Sequence, residues 1–255
     1  NIENIQFADV LKSESEILNL AGAPNLISST PADDANSFPV DSNITLTFSE
    51  NVFVGSGFIG IYDTQGSNHP DPIRASDAQV SGSGTNIITI NPGSDLPDSS
   101  SLAIWIDSTC FYDNDGNAYE GFINDNTILN FKTEDLTAPT LSTSFPSHNS
   151  TSVALDSEII LTFSEKVNVK NGNITIYNKM DEWGIDDTIF ETIDVTSSDL
   201  VSGDGTNIIK INPTNNFAEV DSYMPQGTAA YYIKIDSTAF DDIAGNSFNG
   251  ISNNT

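Results

Sequence analysis

Two acidic turns are the first residues of this chain that could do chemistry, and the chemistry they suggest is calcium binding. One is Asp113-Asn114-Asp115-Gly116-Asn117, and the other starts with Asp241 and Asp242. Calcium takes six to eight oxygen ligands at ~2.3–2.6 Å, which clustered carboxylates and loop carbonyls can supply. The same residue types are common in tight turns, because Asp accepts backbone N–H groups and Gly and Asn tolerate a left-handed backbone. Neither turn follows the EF-hand pattern, and Ala244 replaces Asp115 in the second, so a structural turn and a local calcium site both stay open.

A second candidate for calcium lies near the middle of the chain, where its two halves join. Glu134 and Asp135 could meet Glu165, which follows the third apolar residue of a predicted strand, and carboxylates near Asp113. A calcium ion there would offset the repulsion between the carboxylates and lock the angle between the halves. The alternative is that Glu165, like Glu50, simply ends a strand that faces solvent. The candidate calcium ligands are Asp113, Asp115, Asp135, Glu165, Asp241 and Asp242.

Residues that commonly act as nucleophiles or bases are few, and they do not recur in the internal repeat described next. His69 and His148 stand at non-equivalent places beside Asn, Ser or Pro, which predicts two loop residues. Cys110 is the single cysteine, so no intrachain disulfide can form, and it aligns with Ala239, which predicts a small core residue. The chain is therefore predicted not to be an enzyme, although a site confined to the second half stays open.

An internal repeat sets the elements that must position these residues. Four blocks recur in one order: LTFSE at 46–50 and 161–165, VSGSGTNII at 80–88 and VSGDGTNII at 201–209, INP at 90–92 and 211–213, and IDST at 106–109 and 235–238. Such self-similarity is the signature of a repeated structural unit. The spacing between matching blocks grows along the chain, so copy two carries extra residues around Asp181–Asp187 and Met224–Ala229. Insertions of this kind are predicted to be surface loops.

The repeated blocks have the pattern of β-strands. Ile44, Leu46 and Phe48 alternate with Thr45 and Thr47, which is the two-residue period of a strand with one buried face. Turns rich in Gly, Asn and Asp separate the blocks, and helical periodicity is almost absent. The pattern predicts an all-β chain with an antiparallel sandwich of about seven strands in each copy.

The repeat also predicts the domain boundaries. Each copy opens with Ala-Pro, at Ala23 and Ala138, so the first domain is predicted at 23–135 and the second at 136–255. Residues 1–22 are then the end of a preceding domain or a linker. The chain starts without Met or a targeting segment, and we expect it to be part of a longer protein.

Copy two is expected to lack its last strand. In copy one Gly121 is followed by the strand-like Thr127-Ile128-Leu129-Asn130-Phe131, whereas copy two ends soon after Gly250. Either the chain is truncated there, or a segment such as Ile2–Phe7 of a neighbouring molecule fills the gap by strand addition.

These blocks resemble the bacterial Ig-like domain of S-layer proteins and large repetitive adhesins, of the SbsA type. The matching motifs in copy one are Ala23-Pro24, Asp41–Val52, Gly84-Thr85-Asn86 and Asp113–Gly121, and in copy two Ala138-Pro139, Asp156–Val167, Gly205-Thr206-Asn207 and Asp242–Gly250. The resemblance implies two tandem immunoglobulin-like antiparallel β-sandwiches that act as non-catalytic structural modules. The segment NIENIQFADV at residues 1–10 resembles the end of an RTX-type calcium-binding β-roll, which implies a secreted parent protein.

Charge limits the partners. The chain has 8 Lys and Arg against 36 Asp and Glu, for a net charge of -28. Such a surface repels nucleic acid and anionic lipid headgroups, and no apolar run approaches the roughly 18 residues of a membrane span. We expect neighbouring domains of the same polypeptide as partners, with a cell-surface polymer or another protein as a further partner, at the bacterial cell surface or outside the cell.

The function predicted from the sequence is a structural spacer or adhesion module of a large secreted or cell-surface protein, with calcium as a stiffening cofactor. One alternative is a carbohydrate- or ligand-binding module that uses the inserted loops of copy two. Its available aromatics are Trp183, Tyr223, Tyr231 and Tyr232. The other alternative is an S-layer lattice subunit with protein contacts at exposed edges.

Overall fold

The structure is a computed structural model. It describes residues 22–64, 72–122, 129–179, 187–218 and 229–253, and the backbone of residues 4–7 and 10–13. All regular elements in these residues are strands, which confirms the all-β prediction. The chain forms two compact units, residues 1–135 and 136–255. In the described residues there is no helix that is long and apolar enough to cross a membrane.

The first unit contains a hairpin and a β-sandwich. Its described strands are β1 (Asn4–Phe7), β2 (Val10–Ser13), β3 (Leu26–Thr30), β4 (Ala35–Phe38), β5 (Ile44–Val54), β6 (Phe58–Asp63), β7 (Ile73–Arg74), β8 (Val80–Ser81), β9 (Thr85–Ile90), β10 (Ser101–Ile106), β11 (Phe111–Tyr112) and β12 (Asn130–Thr133). β1 and β2 pair with each other. One sheet has the order β4-β12-β10-β6-β7 and the other β11-β5-β9-β8, with β3 also on β5. The pairs are antiparallel except β4 with β12, which is parallel.

The core of the first unit lies between the two larger sheets. Ile44, Leu46 and Phe48 of β5 are at most 1% exposed, as are Ile59 of β6 and Ile104 of β10 in the facing sheet. The two-residue period predicted for these blocks is confirmed, because the intervening threonines of β5 point away from the core. Burial of each such side chain contributes about 1.5–3 kcal/mol, so these strands hold the sandwich together.

The second unit repeats the arrangement with fewer described strands. They are β13 (Leu141–Phe145), β14 (Ile159–Val169), β15 (Asn173–Asn178), β16 (Thr188–Asp194), β17 (Val201–Ser202), β18 (Thr206–Ile211), β19 (Tyr231–Ile235) and β20 (Phe240–Asp242). One sheet has the order β13-β14-β18-β17, with β20 also on β14, and the other β16-β15-β19. Leu161, Phe163, Ile174 and Ile209 fill this core at no more than 2% exposure.

Glycine turns separate the strands where the sequence placed them. Gly82 and Gly84 have φ of 99° and 85°, and Gly203 and Gly205 have φ of 103° and 74°. A side chain is disfavoured at these angles, so glycine is the residue that lets β8 turn into β9 and β17 into β18.

The two units differ along one edge. The described residues of the second unit contain no counterpart of β12 or β4. The inserted segments of copy two, around 181–187 and 224–229, lie outside the described residues except for Asp187 and Ala229.

Candidate metal site

The carboxylate of Asp113 closes the turn that follows β11. Asp113 is 3% exposed, and its Oδ1 accepts the N–H groups of Asp115 at 2.9 Å and Asn117 at 2.8 Å. Its Oδ2 accepts the side-chain amide of Asn117 at 2.8 Å. The hydrogen bond from the Asn117 side chain, together with those from the backbone, lowers the pKa of Asp113 from its ordinary value of 3.8. The carboxylate therefore serves as a turn cap in this structure.

Asp242 closes the matching turn of the second unit in the same way. It is 1% exposed, and its Oδ1 accepts the N–H groups of Gly245 at 2.6 Å and Asn246 at 2.8 Å. Its Oδ2 accepts the Asn246 side-chain amide at 2.8 Å. The structural interpretation of both turns thus has a full set of hydrogen bonds behind it.

The other acids of these segments lie apart from a common site. Asp115 is exposed, and only its N–H takes part in the turn. Asp241 alternates with Asp242 on β20 and therefore points to the opposite face, where its carboxylate accepts the Ser247 hydroxyl at 2.8 Å and lies 3.6 Å from the Lys170 ammonium. Glu134 binds within the first unit, since its Oε1 accepts the N–H of Val40 at 3.0 Å.

Three of the predicted ligands come together. One carboxylate oxygen each from Asp135, Glu165 and Asp242 lie within 4.8 Å of one another, and in the described residues this is the group of three that could hold a metal ion. Asp242 is buried, and Asp135 and Glu165 are half-buried. Oxygens that share one calcium at ~2.3–2.6 Å are at most about 5 Å apart, so the spacing fits a single ion.

Strand pairing explains why Glu165 meets Asp242. β14 does not end at Glu165, as the solvent-facing alternative assumed, but continues to Val169. Its pairing with β18 shifts register between Thr162 and Val167, and Glu165 lies in that interval. Val167 then pairs with Asp242, which brings β20 beside the irregular stretch of β14.

The sequence could not pair these acids correctly. It suggested Asp135 with Glu165 but coupled them to the neighbourhood of Asp113, and it treated Asp242 as part of a separate turn. The pairing of β20 with β14 joins residues about 75 positions apart, and no local pattern encodes such a contact. The repeat held one usable signal, which is that Asp135 aligns with Leu20 in copy one.

The remaining reactive residues are placed as predicted or fall outside the described residues. Cys110 is fully buried, as is its counterpart Ala239, which confirms the core prediction. Its thiol lies 3.1 Å from the carbonyl oxygen of Phe58, and burial, with a contribution from Asp107, raises its pKa to about 12. His148 is an exposed loop residue, whereas His69 is outside the described residues.

Comparison with known families matches the model of the bacterial Ig-like domain twice, at residues 21–133 and 135–254. The chain belongs to this family. The resemblance drawn from the repeated blocks is thereby confirmed for both copies. No curated protein matches the chain.

Membership of the family has two consequences for the site. Bacterial Ig-like domains are surface and structural modules of bacterial proteins, and the fold family is not enzymatic. The second match begins at Asp135, so Asp135, Glu165 and Asp242 all belong to the second Ig-like domain by that boundary.

Proposed function

We propose that the chain is a non-catalytic spacer or adhesion segment of a large secreted or cell-surface bacterial protein. The observation that carries this proposal is the repetition of one sandwich with its own core, because a series of self-contained cores is what a spacer requires. Positions that could support catalysis do not match between the copies, as Cys110 opposite Ala239 illustrates.

We further propose that calcium is a stiffening cofactor of the second domain. Asp135, Glu165 and Asp242 offer three carboxylates to one position, and a chain of net charge -28 favours cation uptake. An ion there would tie the segment that enters the domain at Asp135 to β14 and β20. Loop carbonyls and water would complete the coordination.

Calcium-dependent unfolding tests the cofactor. Thermal unfolding is measured in EDTA, in millimolar calcium and in millimolar magnesium at one ionic strength. A site held at a hundredfold excess over Kd stabilises by about 2.7 kcal/mol, so we expect a rise of several degrees with calcium alone. Glu165→Gln should abolish this rise, and the matched variant Glu50→Gln in the first domain should retain it. Equal curves with and without calcium would remove the cofactor and leave the spacer proposal standing on the repeat.

One observation favours carbohydrate binding as a second candidate function. Tyr177 of β15 and Tyr232 of β19 stack at 5.0 Å with ring planes 4° apart. The ammonium of Lys234 lies 5.2 Å from the first ring centre and 5.9 Å from the second. Aromatic rings beside hydrogen-bonding groups are common in sugar sites, and the Tyr232 hydroxyl donates to Asp187 at 2.8 Å.

Glycan binding separates the two functions. The purified chain is applied to an array of bacterial and host polysaccharides, beside Tyr232→Ala. A spacer should bind none of them. Binding that disappears in Tyr232→Ala would overturn the spacer assignment in favour of a carbohydrate module.

A further inference from the structure

In the first domain β12 closes one edge of the sandwich. It pairs with β10 on one side and β4 on the other, and the N–H of Ile104 donates to the carbonyl of Leu129 at 3.0 Å. Leu129 and Phe131 are each 1% exposed and Thr133 is 5% exposed, while Lys132 points to solvent. This strand thus supplies backbone hydrogen bonds and alternate apolar side chains to the edge of the core.

In the second domain β19 takes the place of β10 but stands at the edge of its sheet. It pairs with β15. On its other side the described residues supply one isolated bridge, between Ile235 and Ile251. In the first domain the matching bridge joins Ile106 to Phe122, and the ladder then continues into β12. The edge of β19 is therefore a ladder that stops after its first step within the described residues.

The opposite flank of this gap is already shaped. Asn149 and Ser152 both have φ of 60°, as their counterparts Asp34 and Ser37 have φ of 59° and 62°. Residues 150–153 thus follow the backbone course of β4, although no strand is assigned to them. β4 is a strand because it pairs with β12, so the missing feature in the second domain is the partner and not the backbone shape.

The core beside this gap is less well covered than in the first domain. Leu102, Ile104 and Phe38 are at most 7% exposed under β12, and Phe38 packs against Phe131 with ring centres 5.3 Å apart. The matching residues in the second domain are Tyr231, Ile233 and Val153, and all three are half-exposed. The uncovered row lies along the same edge as the incomplete ladder.

We propose that the second domain binds an extended peptide segment along β19, antiparallel to it and between it and residues 150–153. Its occupant is a strand of the chemistry of β12, with apolar side chains at alternate positions that face the core and a basic side chain between them. Residues 136–255 carry 16 Asp and Glu against 5 Lys, which favours a donor with a basic outward residue. This docking surface goes beyond the spacer role, because it makes the second domain an acceptor for another segment.

Titration with a peptide tests the proposal on the full chain. The probe is the seven-residue peptide Ile128–Glu134, taken from the last strand of copy one. It is added up to millimolar concentration to isotope-labelled protein and followed by NMR. We expect shifts at the amides of Tyr231–Ile235 and of residues 150–153, and none at β10, whose edge β12 already fills. A peptide that carries Leu129→Asp and Phe131→Asp should bind at least about tenfold more weakly, because both apolar contacts are lost.

A tethered donor covers the case of a weakly binding free peptide. Residues 252–255 are replaced by the sequence of residues 123–134, which follows Phe122 in copy one as it would follow Ile251 in copy two. The effective concentration of the donor is then in the millimolar range or above. We expect hydrogen exchange at the amide of Ile233 to slow at least about tenfold, and not in the version with both aspartates.

Two results would overturn the proposal. One is unchanged exchange at Ile233 in the tethered protein together with no peptide shifts. The other is a dimer of the unmodified chain whose Tyr231–Ile235 amides are already protected, since a second copy would then be the occupant. Calcium dependence and glycan binding play no part in these readouts, so failure here is distinguishable from failure of the proposed function.

Discussion

Asp113 and Asp242 make the same hydrogen bond in the two domains. The Oδ2 of each accepts the side-chain amide of the asparagine four residues later at 2.8 Å, and each carboxylate is at most 3% exposed. The bond recurs although Asp115 in one turn is replaced by Ala244 in the other. Its constant part is therefore the turn itself, and the acid contributed by Asp135 distinguishes the second domain.

The first prediction concerns the structural role of Asp242. Asp242→Ala removes the acceptor of three hydrogen bonds and leaves buried donors unpaired, so we expect the second domain to lose about 1–3 kcal/mol of unfolding free energy. The measurement is urea unfolding in EDTA, which excludes any contribution from bound calcium. Asp242→Asn keeps one carbonyl oxygen as acceptor and should lose less. Wild-type stability of Asp242→Ala in EDTA would show that the turn does not depend on this carboxylate.

The second prediction concerns acid. Burial raises the pKa of Glu191, but hydrogen bonds from Thr214 and Asn215 outweigh it and lower that pKa from its ordinary 4.5. The unfolded chain then binds a proton at higher pH than the folded chain does. The stabilisation by Glu191 is present above about pH 4.5 and is lost as the pH falls through the lowered folded value.

The comparison of wild type with Glu191→Gln isolates this effect from the relief of charge repulsion that acid also brings. Urea midpoints are measured from pH 7 to pH 3. We expect the variant to be less stable at pH 7 and the two proteins to converge toward pH 3. A constant difference across the range would contradict the assignment.

Local sequence patterns encode much of this fold, since strands and turns depend on near neighbours. The alternation of Ile44, Leu46 and Phe48 places β5, and Gly203 and Gly205 place the turn after β17. These predictions hold because a two-residue period or a positive φ is determined within a few residues.

The candidate site depends on pairing between distant strands, and there the sequence was insufficient. Glu165 meets Asp242 because of the register shift in β14 and its pairing with β20. Glu191 of β16 likewise holds Thr214 and Asn215 across 23 and 24 residues. Side-chain periodicity shows which face a residue takes but not which strand lies beside it.

The third prediction concerns Cys110. A thiol that is fully buried and has its pKa raised to about 12 is neither accessible nor ionised at pH 8. We expect a thiol reagent to modify the folded chain at the rate of unfolding, and the chain in urea at once. Cys110→Ala should cost only about 1 kcal/mol, because Ala239 fills the same buried place in the second domain. Rapid modification without denaturant would show that the site opens independently of unfolding.

The fourth prediction compares two glycines of one turn. A Cβ on Gly203 would lie 2.0 Å from the carbonyl oxygen of Ile208, whereas a Cβ on Gly205 meets no atom within 4 Å. Both have positive φ, so each alanine variant bears the cost of a left-handed backbone, about 1–2 kcal/mol. Gly203→Ala must also move the backbone of β18, and we expect a further loss of about 1–3 kcal/mol. Urea unfolding of the two variants gives the difference directly. Equal stability of the two would mean that the close approach to Ile208 relaxes freely and that φ alone selects glycine at this turn.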